Sequence, residues 1–157
     1  MAILNIVTDE DPILRKKSKP VEKIDDKILT LLEDMKETMH KAGGVGLAAV
    51  QVGKLKQVIV IDTGEKQLEL INPRLIKAEG VQEKLEGCLS CPGKWGITRR
   101  PEKVVVETLT RAGKTVRHRA EGLLAKAVCH EMDHLEGKLF YDQAVKILTP
   151  EELKEYE

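Results

Sequence analysis

The stretch GLLAKAVCHEMDHLEG, residues 122–137, decides how the rest of the chain is read. It is helical in pattern throughout, with Gly137 placed as the C′ residue. On such a helix His130 and His134 lie one turn apart on one face, so both imidazoles can reach the same ion. Glu131 is offset by about 100°. It stands beside the ion rather than on it, where a general base acts on a bound water. HExxH has few fixed positions, however, and alone it fits a chance pattern on a surface helix equally well.

A third ligand is therefore needed. Downstream, Glu136 points away from the histidine face, and Asp142, Glu151 and Glu152 leave little room for a second supporting helix. That disfavours a peptidase built on this helix. Upstream, EGCLSCPG (86–93) offers Cys88 after a glycine and before the turn-forming Pro92–Gly93. One cysteine, two histidines and a water make an open, four-coordinate catalytic arrangement. A thiolate in that set suits Zn²⁺ or Fe²⁺ and a reducing compartment. Two other readings of Cys88 and Cys91 stay open. As a CxxC redox pair they would open a helix, which Pro92–Gly93 opposes. As a closed structural site with His130 and His134 they would leave Glu131 without a task.

GGVGLAAVQVGK (43–54) is too glycine-rich for a helix and reads as extended or looped. It is no dinucleotide fingerprint, because it follows an amphipathic helix rather than a strand. Nor is it a phosphate loop, since Leu55 rather than Ser or Thr follows Lys54. What remains is backbone that other chain can approach closely, ending in Gln51. Beside a metal site, that amide can donate to a developing oxyanion.

The 157 residues are read as one domain, 1–157, large enough for a continuous core. Lys+Arg and Asp+Glu both number 26, so net charge gives no reason to expect direct contact with nucleic acid or an anionic membrane. Aromatics at 3% also count against base stacking. MAILNIVTDEDP has no signal-peptide pattern, and no apolar run is long enough to span a bilayer. Three cysteines without an export signal fit reduced thiols and a cytoplasmic location.

DDKILTLLEDMKETMHKAGG carries Ile28, Leu31, Leu32, Met35 and Met39 on one helical face. Residues 57–71 predict a hairpin around TGEK, and KVVVETLT–RAGK–TVRHRAEG predicts another. RLIKAEG and VQEKLEG read as separate short strands between them. TPEELKEYE predicts a short helix with Thr149 as N-cap and Glu152 closing a capping box. The fold class is α+β: short antiparallel strands and hairpins around a central helix carrying HEMDH, with a short helix after it.

GVGLAAVQ (44–51), EGCLS (86–90) and HEMDH (130–134), in that order, resemble the signature of the peptide deformylases. The opening ILNIVTDEDPILRKKSKPV, INP at 71–73, RRPEKVVV at 99–106 and HLEGKLF at 134–140 extend the resemblance over essentially the whole chain. It implies hydrolysis of N-formylmethionyl peptides, with release of formate, by a metal-bound water. Cys88, His130 and His134 would bind the metal, Fe²⁺ natively with Zn²⁺ or Ni²⁺ as substitutes. Glu131 would act as general acid and base, and Gln51 with the Leu89 N–H would hold the oxyanion. Val45, Gly46 and Gly87 would line the substrate backbone as an added strand. Glu86 would hold a ligand imidazole, and Asp133 would pair with Arg100.

The implied partners are nascent chains near the ribosome. The short acidic stretch at 151–157 differs from the basic tails of some relatives, so a ribosome-docking role is not carried over. Cys129 replaces a common glutamine and is read as packing, Cys91 as a free thiol. Trp95 stands where some relatives have a basic residue at the substrate mouth. The sequence leaves the oligomeric state and any preference beyond the first residue open. A non-catalytic Cys₂His₂ binding module is the rival from another class, and it leaves Glu131, Gln51 and the glycine loop unexplained.

Overall fold

The computed structural model describes residues 2–156. A five-stranded antiparallel sheet runs in the order β1 (Gly46–Ala48), β2 (Val58–Asp62), β3 (Gln67–Glu79), β6 (Lys103–Leu109), β7 (Thr115–Glu121). A smaller sheet has the order β4 (Gln82–Glu86), β5 (Gly96–Arg100), β8 (Lys146–Ile147). Three α-helices complete the fold: α1 (Asp26–Lys41), α2 (Gly122–Leu135) and α3 (Pro150–Lys154).

The VIVID run of β2 explains the layering. Successive side chains of a strand face opposite sides, and here both sides are covered. Val58 and Val60 join the α1 residues Leu31, Leu32, Met35 and Met39 on one side. Ile59 and Ile61 join Leu124, Ala125 and Val128 of α2 on the other. Each large aliphatic chain so buried contributes about 1.5–3 kcal/mol, which holds the central sheet between its two helices. Helix α1 begins where the Asp25 carboxylate accepts the Ile28 N–H at 3.1 Å.

Helix α2 contacts β1, β2 and β7 of the large sheet and β5 of the small one. Both of its ends are fixed. At the start, Gly122 takes a positive φ of 57° and donates its N–H to Glu102 O. At the end, Gly137 has φ 75°, and a β-carbon there would sit 2.5 Å from the Arg15 carbonyl oxygen. Only glycine combines that conformation with that contact.

Both predicted hairpins form, as β2–β3 and β6–β7. One expectation changes. RLIKAEG is not a separate strand but the second half of β3, which passes through Asn72–Pro73 at a register shift. Pro73 needs no ladder N–H at that irregularity. Asn72, with φ 51°, is held there by its side chain, which accepts from Val21 N (2.7 Å) and donates to Val21 O (2.9 Å). The glycine segment becomes strand β1 followed by a 3₁₀ turn at Ala49–Val52. Thr149 and Glu152 form the expected reciprocal cap of α3. No helix among the described residues is long and apolar enough to cross a membrane.

Candidate active site

Helix α2 presents His130, Glu131 and His134 inward, all of them buried. Immediately after β4, the chain brings Cys88 to them. The Cys88 Sγ lies 3.3 Å from His134 Nε2. One donor atom each from Cys88, His130 and His134 falls within 4.8 Å of the other two. A tetrahedral centre with Zn–S of about 2.3 Å and Zn–N of about 2.0–2.1 Å separates sulfur from nitrogen by roughly 3.6 Å. The Cys88–His134 pair stands near that separation, and His130 lies close enough to complete the set. Among the described residues this is the single His/Cys/carboxylate cluster of that kind, and Cys91 and Cys129 are not in it.

The protonation chemistry fits a cation as well. Burial, reinforced by nearby His130, lowers the pKa of His134 to about 3, which leaves a neutral ring with a lone pair to give. Its Nδ1 is buried without a partner. For His130, burial is outweighed by the Glu131 and Glu86 carboxylates and the pKa rises. Its Nδ1 is hydrogen-bonded to Glu86 Oε2, which turns Nε2 toward the cluster. Hydrogen bonding to Cys91, burial and the Glu131 charge all hold Cys88 as a thiol. A thiolate there needs a positive ion beside it.

Glu86 in turn is gripped from three sides. Thr98 Oγ1 donates to its Oε1 at 2.7 Å, and Arg100 donates to both its oxygens at 3.2 and 2.8 Å. These bonds and His130 hold its carboxyl well below the usual range despite burial. Arg100 also reaches Asp133 at 2.5 Å, one residue before His134, so a single guanidinium braces strand, carboxylate and helix together.

Glu131 lies differently. Its Oε2 is 4.0 Å from His130 Nε2, and its Oε1 is buried with no partner. Burial raises its pKa to about 7 against the opposing pull of His130. A β-carbon on Gly46 would come within 2.6 Å of Glu131 Oε2, so the glycine of β1 makes room for this carboxylate.

A cavity of about 330 Å³ opens onto the cluster. Val45, Gly46, Gly87, Cys88, Leu89 and Glu131 belong to its wall. The Leu89 side chain crosses Gly44, which has no β-carbon to block it. The Trp95 ring lies on Gly87 in the same way, with ring carbons 2.6–3.0 Å from where a β-carbon would be. Gln51 is not part of that wall. It sits behind Cys88, its Oε1 accepting from Ala48 N (2.9 Å) and its Nε2 donating to Ser90 Oγ (3.1 Å) and Cys88 Sγ (3.6 Å). Sequence reading did not pick out Thr98 or Ser90. Ser90 stood inside the quoted EGCLS, whereas Thr98 had no signal of its own.

The polypeptide deformylase family model matches residues 3–149. A peptide deformylase of Alkaliphilus metalliredigens is 60% identical, over 93% of this chain and 99% of its own length. That of Caldicellulosiruptor bescii is 54% identical over 99% and 93%. A crystal structure of the Legionella pneumophila peptide deformylase superposes with a TM-score of 0.87 at 41% identity, covering 98% of this chain and 95% of that one. The Synechococcus elongatus enzyme, solved in complex with actinonin, gives 0.87 at 42%, covering 97% and 82%.

Proposed function

Because the chain belongs to the peptide deformylase family, whose reaction removes the N-formyl group from nascent peptides, we propose the following division of labour among its residues. Cys88 Sγ, His130 Nε2 and His134 Nε2 hold one divalent cation, Fe²⁺ natively, with Zn²⁺ or Ni²⁺ able to replace it. A thiolate with two imidazoles is a donor set that all three ions accept. When bound, such a cation supplies Lewis acidity, acidifying a water and polarising a carbonyl oxygen.

Glu131 takes the proton of the attacking water and passes it to the leaving amine. Its burial and its pKa of about 7 support this, since both protonation states are populated near neutrality. The Leu89 N–H, and Gln51 Nε2 in exchange for its present bond to Cys88 Sγ, donate to the oxygen of the formyl carbon as charge develops there. Ala48 N–H fixes which end of the Gln51 amide faces Cys88. The substrate backbone lies along Val45–Gly46 and Gly87. Strand β1 is the outermost strand of its sheet, with β2 on one side only. Such an edge can receive one more strand. The methionine side chain enters the cavity over Ala127 and Leu123. The enzyme works in the cytoplasm on chains emerging near the ribosome.

The observation that carries this reading is the meeting of three donors with a buried, unpaired Glu131 oxygen beside a cavity that Cys88, His130 and Glu131 line. The test is formate release from a short formyl-Met peptide, anaerobically, with Fe²⁺- or Ni²⁺-loaded protein. Glu131→Ala, at equal metal content, should lose about 10²–10⁴-fold in turnover. Unchanged turnover would remove Glu131 from its role. Folded, metal-loaded wild type that releases no formate would overturn the reading.

A further inference from the structure

Cys91 takes no part in the chemistry above, yet it is buried directly against the group that matters most there. Residues 88–91 form a β-turn, closed by the Cys91 N–H on the Cys88 carbonyl at 3.0 Å. A β-turn keeps its first and fourth Cα atoms within about 7 Å, and a disulfide spans about 4.4–6.8 Å between Cα atoms. Cys88 is partly exposed on the cavity wall, whereas Cys91 is 1% exposed. Both thiols belong to the cavity wall, so a small oxidant entering the cavity meets Cys88, the more exposed of the two, with Cys91 beside it. Cys129 packs elsewhere on α2 and lines a different depression, with Gln57 and Pro73.

We propose that Cys88 and Cys91 are a reversible oxidative modification site, in which Cys91 resolves an oxidised Cys88 into a disulfide. The proposal rests on the assignment of Cys88 as a metal ligand for its consequence, though not for its chemistry. The oxidant is a hydroperoxide. The Cys88 sulfur attacks the distal peroxide oxygen; an S–O bond forms, the O–O bond breaks, and Cys88 becomes a sulfenic acid as the alcohol or water leaves. The Cys91 sulfur then attacks the Cys88 sulfur. The S–S bond forms, the S–O bond breaks, and the departing hydroxide leaves as water with the Cys91 proton. Two thiols have been oxidised by two electrons and the peroxide reduced.

In the disulfide, Cys88 no longer offers a thiolate, and only the two histidines remain to hold the ion. The site empties, but it avoids the sulfinic and sulfonic acids from which a thiol does not ordinarily return. Such a turn-spanning pair differs from the helix-opening dithiols of oxidoreductases: it protects a ligand rather than exchanging disulfides with other proteins.

The experiment exposes the metal-loaded protein to a molar excess of hydrogen peroxide. Intact mass after alkylation, peptide mapping and metal release to a chromogenic chelator are followed together. Wild type should lose two hydrogens, map the bond to Cys88–Cys91 and release its metal. Dithiothreitol with fresh metal should then restore nearly all formate release. Cys91→Ser and Cys91→Ala, two variants so that a folding defect in one does not decide, should instead gain two or three oxygens at Cys88 and stay inactive after reduction. Wild type that accumulates those oxygens as fast as the variants overturns the proposal. So does a disulfide that maps to Cys129. A Cys88–Cys91 disulfide formed with the metal retained would leave the modification standing and overturn Cys88 as a ligand.

Discussion

At the scale of single residues, the site is held by contacts that tolerate little change. Gly46 faces Glu131 Oε2 so closely that Gly46→Ala must move the carboxylate. Turnover should fall by about 10-fold or more, as a misplaced catalytic group does, while metal content stays unchanged by elemental analysis. Cys88→Ser should weaken or change metal binding, read by competition with a chelator, whereas Cys91→Ser should be mild under anaerobic conditions. Arg100 carries a heavier load. Its removal takes a buried counter-charge from Glu86 and leaves Asp133 with only the Gln143 amide. Arg100→Ala should cost about 3–5 kcal/mol in urea unfolding, and a loss within the scatter of surface substitutions would show that the brace is dispensable. At this scale the sequence was informative wherever residue type and spacing define chemistry: His130 and His134 on one helical face, Glu131 beside them, Cys88 before a turn. It was silent on Thr98, because a threonine in a strand carries no mark of the carboxylate it will meet across the sheet.

At the scale of elements, legibility followed periodicity. Helices α1 and α2 and the two hairpins have a repeat of apolar residues or a recognisable turn, and each formed where that pattern predicts. Strand β5, with sequence GITRR, has neither. Its place is set by partners on both sides, β4 and β8, and its inward Arg100 is stabilised only by carboxylates from other elements. Strand β3 looked broken at Pro73, yet it continues because Asn72 takes the strained conformation and ties itself to Val21. The seating of α2 gives a prediction of its own. Gly137→Ala forces a β-carbon against the Arg15 backbone at a positive φ. It should destabilise by about 2 kcal/mol or more, measured from the urea midpoint at constant m-value. Retention of the wild-type midpoint would show that the α2 terminus adjusts freely.

At the scale of the whole molecule, charges that cancel in number still act in pairs. Glu69 is clasped by Arg111 and Lys36, and the Arg111 hydrogen bond is the largest cause that lowers its pKa to about 2. A carboxylate with a depressed folded pKa contributes stability that is complete above its unfolded value, 4.5, and is lost as the pH falls toward about 2. With Arg111 39% exposed, solvent discounts the contribution to on the order of 1 kcal/mol. Glu69→Gln should therefore flatten the decline of stability between about pH 5 and about pH 2 relative to wild type. An identical decline in both proteins would assign acid sensitivity to other groups.

The small sheet carries a further consequence, one of timing. Its third strand is only Lys146–Ile147, which closes the open side of β5 at Gly96 and Ile97, next to Trp95 on the cavity rim. A polypeptide made from its amino end has written Cys88, His130, Glu131 and His134 before it writes that strand. Until residues 146–147 arrive, β5 has one bare edge, beside the Trp95 of the cavity rim. During its own synthesis, then, the molecule holds the parts of its centre before it holds their enclosure, and the rim of the cavity is finished only after the centre itself has been written.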